Sequence, residues 1–125
     1  MTVVYDAGVL VGVDRNERRI WAEHRVRLEL GVVPIVTAPV VSQVSRSARQ
    51  VPLRRLLAGC DVVGFGAEDA HEVGTLLGRS GLSDAVDAHV VLTAAQARAS
   101  VVTSDPADLS VLAGALDETV RIVPI

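Results

Sequence analysis

Three aspartates stand where apolar segments stop: Asp6 after Val3-Val4-Tyr5, Asp87 within the apolar run Ala85 to Ala97, and Asp105 after Val101-Val102-Thr103-Ser104. Carboxylates crowded together raise one another's proton affinity, and a divalent cation is the usual way to make such a cluster tolerable. An α/β fold that gathers strand ends along one sheet edge would bring these three together, so the pattern reads first as a metal site.

Each aspartate also has an ordinary reading. Asp105, followed by Pro106 and three places on by Asp108, has the signature of an N-cap with proline at the first helical position. Asp84 falls in the first turn of a helix, where the helix dipole favours a carboxylate, and Asp6 could cap whatever begins at Ala7. Asp87 reads differently. With a helix starting at Ser83 it lies a turn inside an apolar segment, beyond the reach of capping and on the same face as Asp84 at i, i+3 spacing. A charge buried there without a partner is costly, and a cation shared with Asp6 and Asp105 would remove that cost.

The chain has 125 residues, half of them hydrophobic, with a mean hydropathy of +0.39 and a net charge of −3. That suits one domain spanning residues 1–125 with a single core. There is one residue each of Trp, Tyr and Phe, which disfavours a protein that stacks bases on an aromatic platform. The lone Cys60 excludes an internal disulfide and a cysteine zinc cluster, and reads as a structural thiol in a reducing compartment. The start MTVVYDAGVL lacks a basic leader region and is interrupted by acids, so neither a signal peptide nor a membrane span is expected and the location is read as cytoplasmic. All twelve basic residues are arginine, which removes the lysine that a P-loop or a receiver domain uses.

The elements that must position the acids follow from hydrophobic periodicity. Residues 2–5 read as a buried strand, with a helix or turn from Ala7. Asn16 reads as the cap of a helix over about 17–30 with Ile20, Trp21, His24 and Leu28 on its core face. A strand is expected over Val32 to Val36, helices from Pro39 and from Pro52, and a strand from Asp61 to Gly64. Next come a helix from Glu68 to Gly78 with Ala70, Val73 and Leu77 inward, the apolar helix from Ser83 to about Ser100, and a strand over Val101 to Thr103. A helix from Pro106 to Leu116 and a strand over Val120 to Val123 complete the series. Strand and helix alternate, which implies a central parallel sheet of about five short strands between two helical layers.

With these residues in place the chain resembles the PIN-domain ribonucleases, and in particular the VapC toxins of bacterial toxin–antitoxin pairs. VVYDAGVL is similar to the family's first strand with its leading aspartate. DAHVVLTAAQARASVVTSDPADL resembles its later acidic motifs, with Asp87 and Asp105 eighteen positions apart. The resemblance implies a three-layer α/β/α PIN-like domain that hydrolyses RNA phosphodiesters with Mg²⁺ or Mn²⁺ held by Asp6, Asp87 and Asp105, with Asp84 as a further ligand. It also implies a cognate antitoxin and a second copy of the chain as partners. There is one departure: family members usually carry a glutamate on the helix after the second strand, where APVVSQVSR has Gln43. A neutral amide can bond a metal-bound water but cannot supply the charge. Ser104 is an auxiliary candidate to orient a ligand or substrate oxygen, and Asp14 a weaker acidic one.

Two other readings are open at this point. A catalytically weak PIN module would bind RNA or a protein without cutting. A phosphatase of another α/β fold would use Asp6 as nucleophile, although Gly8 stands where that chemistry commonly wants a second aspartate. Arg15, Arg18, Arg19 and Arg25 are candidates for phosphate contact, with a solvated helix face as the alternative.

Overall fold

The computed structural model describes all residues, 1–125. Its five strands are β1 (Val3–Tyr5), β2 (Ile35–Thr37), β3 (Asp61–Val63), β4 (Ser100–Thr103) and β5 (Ile122–Pro124). They form one wholly parallel sheet in the order β3-β2-β1-β4-β5. The helices are α1 (Ala7–Asp14), α2 (Arg18–Glu29), α3 (Ala38–Val44), α4 (Val51–Ala58), α5 (Ala67–Ser80), α6 (Ala85–Ala97) and α7 (Pro106–Gly114). One group packs around α1, against α2, α3 and α4, while α5, α6 and α7 pack on one another. No helix is long and apolar enough to cross a membrane.

Strand order carries the functional geometry. The chain leaves β1 outward through β2 and β3, then crosses back to lay β4 on the other side of β1. The reversal puts a topological switch point between the C-terminal ends of β1 and β4, where open parallel sheets bind ligands. Asp6 directly follows β1, and Asp105 stands two residues beyond β4. Helix α6 leads into β4 and packs against β1 and β4, so its N-terminus lies at that same edge.

The core explains why these segments fold as they do. Val3, Val4, Val36, Val101 and Val102 are buried in strands closed by helices on both faces, as runs of β-branched residues in a central parallel sheet require. Tyr5 is fully buried and its hydroxyl lies 2.9 Å from His24 Nδ1, while Arg27 donates to the same oxygen at 3.3 Å. Burial raises the phenol pKa and lowers that of His24, which keeps both groups neutral in the core just before Asp6.

Several boundaries differ from the sequence reading. Asn16 does not cap α2; it adopts φ +56° in the turn between α1 and α2, a left-handed conformation that asparagine tolerates, and Glu17 takes the cap position. The second strand begins at Ile35 instead of Val32, because Pro34 has no N–H to donate to a neighbouring strand. In α5 the buried residues are Val73 and Leu76, with Ala70 exposed, so that helix is turned relative to the face expected. Most consequential, α6 begins at Ala85 with Asp84 as its N-cap, which moves Asp87 into the first turn.

One close approach locks the two sides of the switch point. A β-carbon at Gly8 would lie 2.8 Å from the Ser104 β-carbon and would collide with its hydroxyl. Only glycine lets α1 start so near the segment that carries Asp105. Gly8→Ala should therefore lower stability by about 1–3 kcal/mol, the usual range for overpacking, with Ser104→Gly restoring part of it. A melting temperature unchanged by Gly8→Ala would contradict this packing.

Candidate metal centre

Whether the aspartates serve only as helix caps is decided by their hydrogen bonds. Asp6, Asp84 and Asp105 all occupy N-cap positions, of α1, α6 and α7. The carboxylate of Asp84 does cap: its Oδ1 accepts from the N–H groups of Val86 at 2.9 Å and Asp87 at 3.1 Å. Those of Asp6 and Asp105 make no capping bond at all. The ordinary reading therefore holds for Asp84 and fails for the other two.

Asp6 is instead held across the switch point. It is only 8% exposed, and its Oδ2 accepts from the Thr103 hydroxyl at 2.9 Å. The same Thr103 oxygen accepts from the Asp105 N–H at 3.0 Å. One fully buried hydroxyl at the end of β4 thus ties the carboxylate after β1 to the backbone that presents Asp105. Sequence reasoning passed over Thr103 in favour of Ser104, whose exposed side chain instead packs at Gly8.

Asp87 senses the whole group. Partial burial, and after it the carboxylates of Asp84, Asp6, Asp108 and Asp105, push its pKa up from 3.8 to about 6. Asp108, in the first turn of α7, joins the group without having been singled out from sequence beyond its part in the helix start. Its position three residues after Asp105, one helical turn along the same edge, was the available signal. Four aspartates, from the ends of β1 and β4 and the starts of α6 and α7, thus lie within electrostatic reach of a fifth, Asp87.

The other candidates make no hydrogen bond to these aspartates. Gln43 is exposed near the end of α3 and makes no side-chain hydrogen bond. Asp14 accepts from Gln50 Nε2 at 3.0 Å and serves the fold. Cys60 is partly buried, which raises its thiol pKa to about 11 and makes it a poor nucleophile or metal ligand. His89 is 3% exposed, with its ring edge-on to Phe65 at 4.8 Å and its Nδ1 without a partner; burial lowers its pKa. It faces the Phe65 loop.

The donor set suits a hard cation, since all five groups are carboxylates and Mg²⁺ and Mn²⁺ prefer oxygen ligands. No three acidic, imidazole or thiol side chains stand in a ready ligating group. The other four carboxylates are near enough to oppose the ionisation of Asp87 but are not drawn with it into a closed cage.

A sequence model of the PIN domain matches residues 3–114, from β1 to the end of α7. The chain belongs to the PIN-domain family. No curated protein matches it in sequence. Among solved structures, a chain of VapBC2 from Rickettsia felis, crystallised with a DNA fragment from its promoter, superposes with a TM-score of 0.74 at 13% identity, covering 100% of this chain and 99% of that one. A chain of FitAcB from Neisseria gonorrhoeae gives 0.67 at 13% identity over 97% and 96%. A toxin–antitoxin complex from Klebsiella pneumoniae gives 0.68 at 16% identity over 86% and 90%. At such identities the likeness establishes the fold alone, here with a five-stranded parallel sheet.

The raised pKa of Asp87 makes the metal-free PIN domain pH-sensitive in a definite direction. The folded state holds the Asp87 proton more tightly than the unfolded state does, so ionising it destabilises the fold. The penalty is absent below about pH 4, grows as pH rises to about 6, and is complete above that. In EDTA near pH 8, Asp87→Asn should be more stable than wild type by about 1–2 kcal/mol, allowing for solvent screening of a half-buried group. The gain should vanish near pH 4. A stability difference that is flat between these limits would contradict the cluster.

Proposed function

We propose that this PIN domain is a divalent-metal-dependent endoribonuclease, the toxin of a VapC-like toxin–antitoxin pair. The observation that carries the reading is the behaviour of Asp6 and Asp105: both sit at helix starts on the switch-point edge, both leave their carboxylates uncapped, and both are linked through Thr103. Membership in a nuclease family and the shared fold with chains from toxin–antitoxin complexes point the same way.

Asp6, Asp87 and Asp105 would hold Mg²⁺ or Mn²⁺, with Asp108 alongside and Asp84 contributing charge while it caps α6. The ion, when bound, activates water and stabilises the leaving oxygen of an RNA phosphodiester. What the chain's own residues do is separate from that chemistry. Thr103 fixes the orientation of Asp6, leaving its other oxygen for a ligand. The crowded acids raise the local demand for positive charge, and a cation held there would lower the Asp87 pKa so that it is ionised well below neutral pH. The phosphatase alternative is disfavoured by Gly8, where an aspartate side chain would run into Ser104.

In cells the activity implies a cognate antitoxin that restrains it. A second copy of the chain is expected beside it, and the cytoplasm is the compartment in which RNA and antitoxin would be met. The exposed, unbonded Gln43 gives the non-cutting reading its specific support, since the site lacks the glutamate charge usual in the family.

Cleavage of a structured-RNA pool by antitoxin-free protein tests both readings. Cutting is expected with Mn²⁺ or Mg²⁺, none in EDTA, and a loss of at least 100-fold in Asp87→Asn, in keeping with removal of a metal ligand. Gln43→Glu should cut faster at limiting metal. A folded protein that never cuts, in either the wild-type or the Gln43→Glu form, would leave the RNA-binding or protein-binding module as the function.

A further inference from the structure

The acids and arginines of this chain are segregated. Residues 30–60 contain four arginines, Arg46, Arg49, Arg54 and Arg55, and not one acid, so this stretch carries +4 while the other residues, with eight arginines and fifteen acids, carry −7. All four are exposed, and none has an acidic partner, since the two ion pairs of the fold are Arg19 with Glu23 and Arg79 with Asp117. The arginines of α2 singled out from sequence are interspersed with Glu17, Glu23 and Glu29, so that face is charge-balanced by comparison.

The loop that presents the strip is built, not loose. Gln50 accepts from the Ser47 N–H at 3.0 Å and from the Arg46 N–H, and donates to the Val44 carbonyl at 2.9 Å. Its amide also donates to Asp14 at the end of α1, fastening the loop to the helix that begins just after Asp6. Arg46 donates to the carbonyls of Ser42 at 2.9 Å and Ser45 at 2.8 Å, and Arg54 to that of Ala48 at 2.6 Å. Those guanidiniums are positioned in advance, with remaining donors free for an anion.

We propose that Arg46, Arg49, Arg54 and Arg55 form a phosphate-binding strip that holds single-stranded RNA for the acidic site, an inference that rests on the nuclease reading. The reasoning is electrostatic. Five aspartates at the switch point repel a polyanion, so substrate affinity has to come from elsewhere on the surface, and phosphate contacts by arginine are the common source. Gln50 ties the strip to the far end of α1, whose eight residues span ~12 Å at ~1.5 Å per residue from the helix start just after Asp6.

The test is fluorescence anisotropy of an end-labelled, unstructured RNA in EDTA across a salt series, with Asp87→Asn as the parent so that no cutting occurs. Arg49 and Arg55 make no side-chain bond within the fold, so Arg49→Gln/Arg55→Gln removes charge without disturbing the loop. We expect about tenfold weaker binding and a salt slope shallower by roughly 1.4, about 0.7 per phosphate contact on a single strand. Arg121→Gln should bind as the parent does, and Arg49→Lys/Arg55→Lys should keep most of the slope. Equal affinity and slope in the parent and the double glutamine variant would overturn the strip, as would a parent that binds no RNA. Poly-glutamate bound as well as RNA, with the same dependence on Arg49 and Arg55, would overturn the RNA assignment in favour of an acidic protein segment. The two readings fail separately: wild type that cuts RNA while the variants bind normally sinks only the strip, and variant-sensitive binding without any cutting sinks only the nuclease.

Discussion

Like charges placed on one sheet edge are the constraint around which this domain is organised. Parallel topology sends the C-terminal ends of β1 and β4 to one edge, and the starts of α6 and α7 meet them there. Each of those positions carries an aspartate. Had every one been a cap, the helix N–H groups would have absorbed the charge, as they do for Asp84. The effect is concentrated instead on Asp87, whose carboxyl is partly buried and feels the charge of four others. Mutual repulsion of this kind is tolerated at functional sites because a ligand relieves it.

The rest of the fold holds that arrangement against its own repulsion. Thr103 bridges the two strand ends with a hydroxyl that donates to one carboxylate and accepts from the backbone that presents another. Gly8 permits the contact between α1 and the segment after β4, and the neutral Tyr5 and His24 pair anchors β1 immediately below Asp6. These interactions are internal and apolar or neutral, so they do not add to the charge at the edge. Compensating positive charge is kept away, on α4 and the loop before it, which leaves the acids free for a cation in place of an arginine.

Much of this was legible in the residues. Alternating β-branched runs and amphipathic segments disclosed the parallel α/β order, and Asp6, Asp87 and Asp105 stood out because each ended or interrupted an apolar stretch. What periodicity could not supply was the start of α6. The segment is apolar almost all round, so no stripe marks its first turn, and only the bond from Asp84 to the Asp87 N–H shows where the helix begins. Asp87 consequently owes its raised pKa first to partial burial and then to the neighbouring carboxylates, from the first turn of α6 instead of a turn further in. Thr103 was hidden because a threonine at the end of a buried strand is an ordinary β-former, and its two partners are far apart in sequence or engaged through the backbone. The arginine strip was missed for another reason: single arginines are unremarkable, and it is the absence of any acid across residues 30–60, not any one arginine, that marks them.

The most direct measurement is a titration of the purified domain with Mn²⁺, followed by calorimetry and electron paramagnetic resonance in buffers near pH 6 and pH 8. If the five aspartates form a cation site, Mn²⁺ should bind at both pH values, more tightly at the higher one, and should release protons near pH 6, where Asp87 is half-protonated before the metal arrives. Asp87→Asn should weaken the binding and abolish the proton release. A folded protein that takes up no Mn²⁺, or one whose affinity is the same at both pH values and indifferent to Asp87, would contradict a metal centre at the switch point.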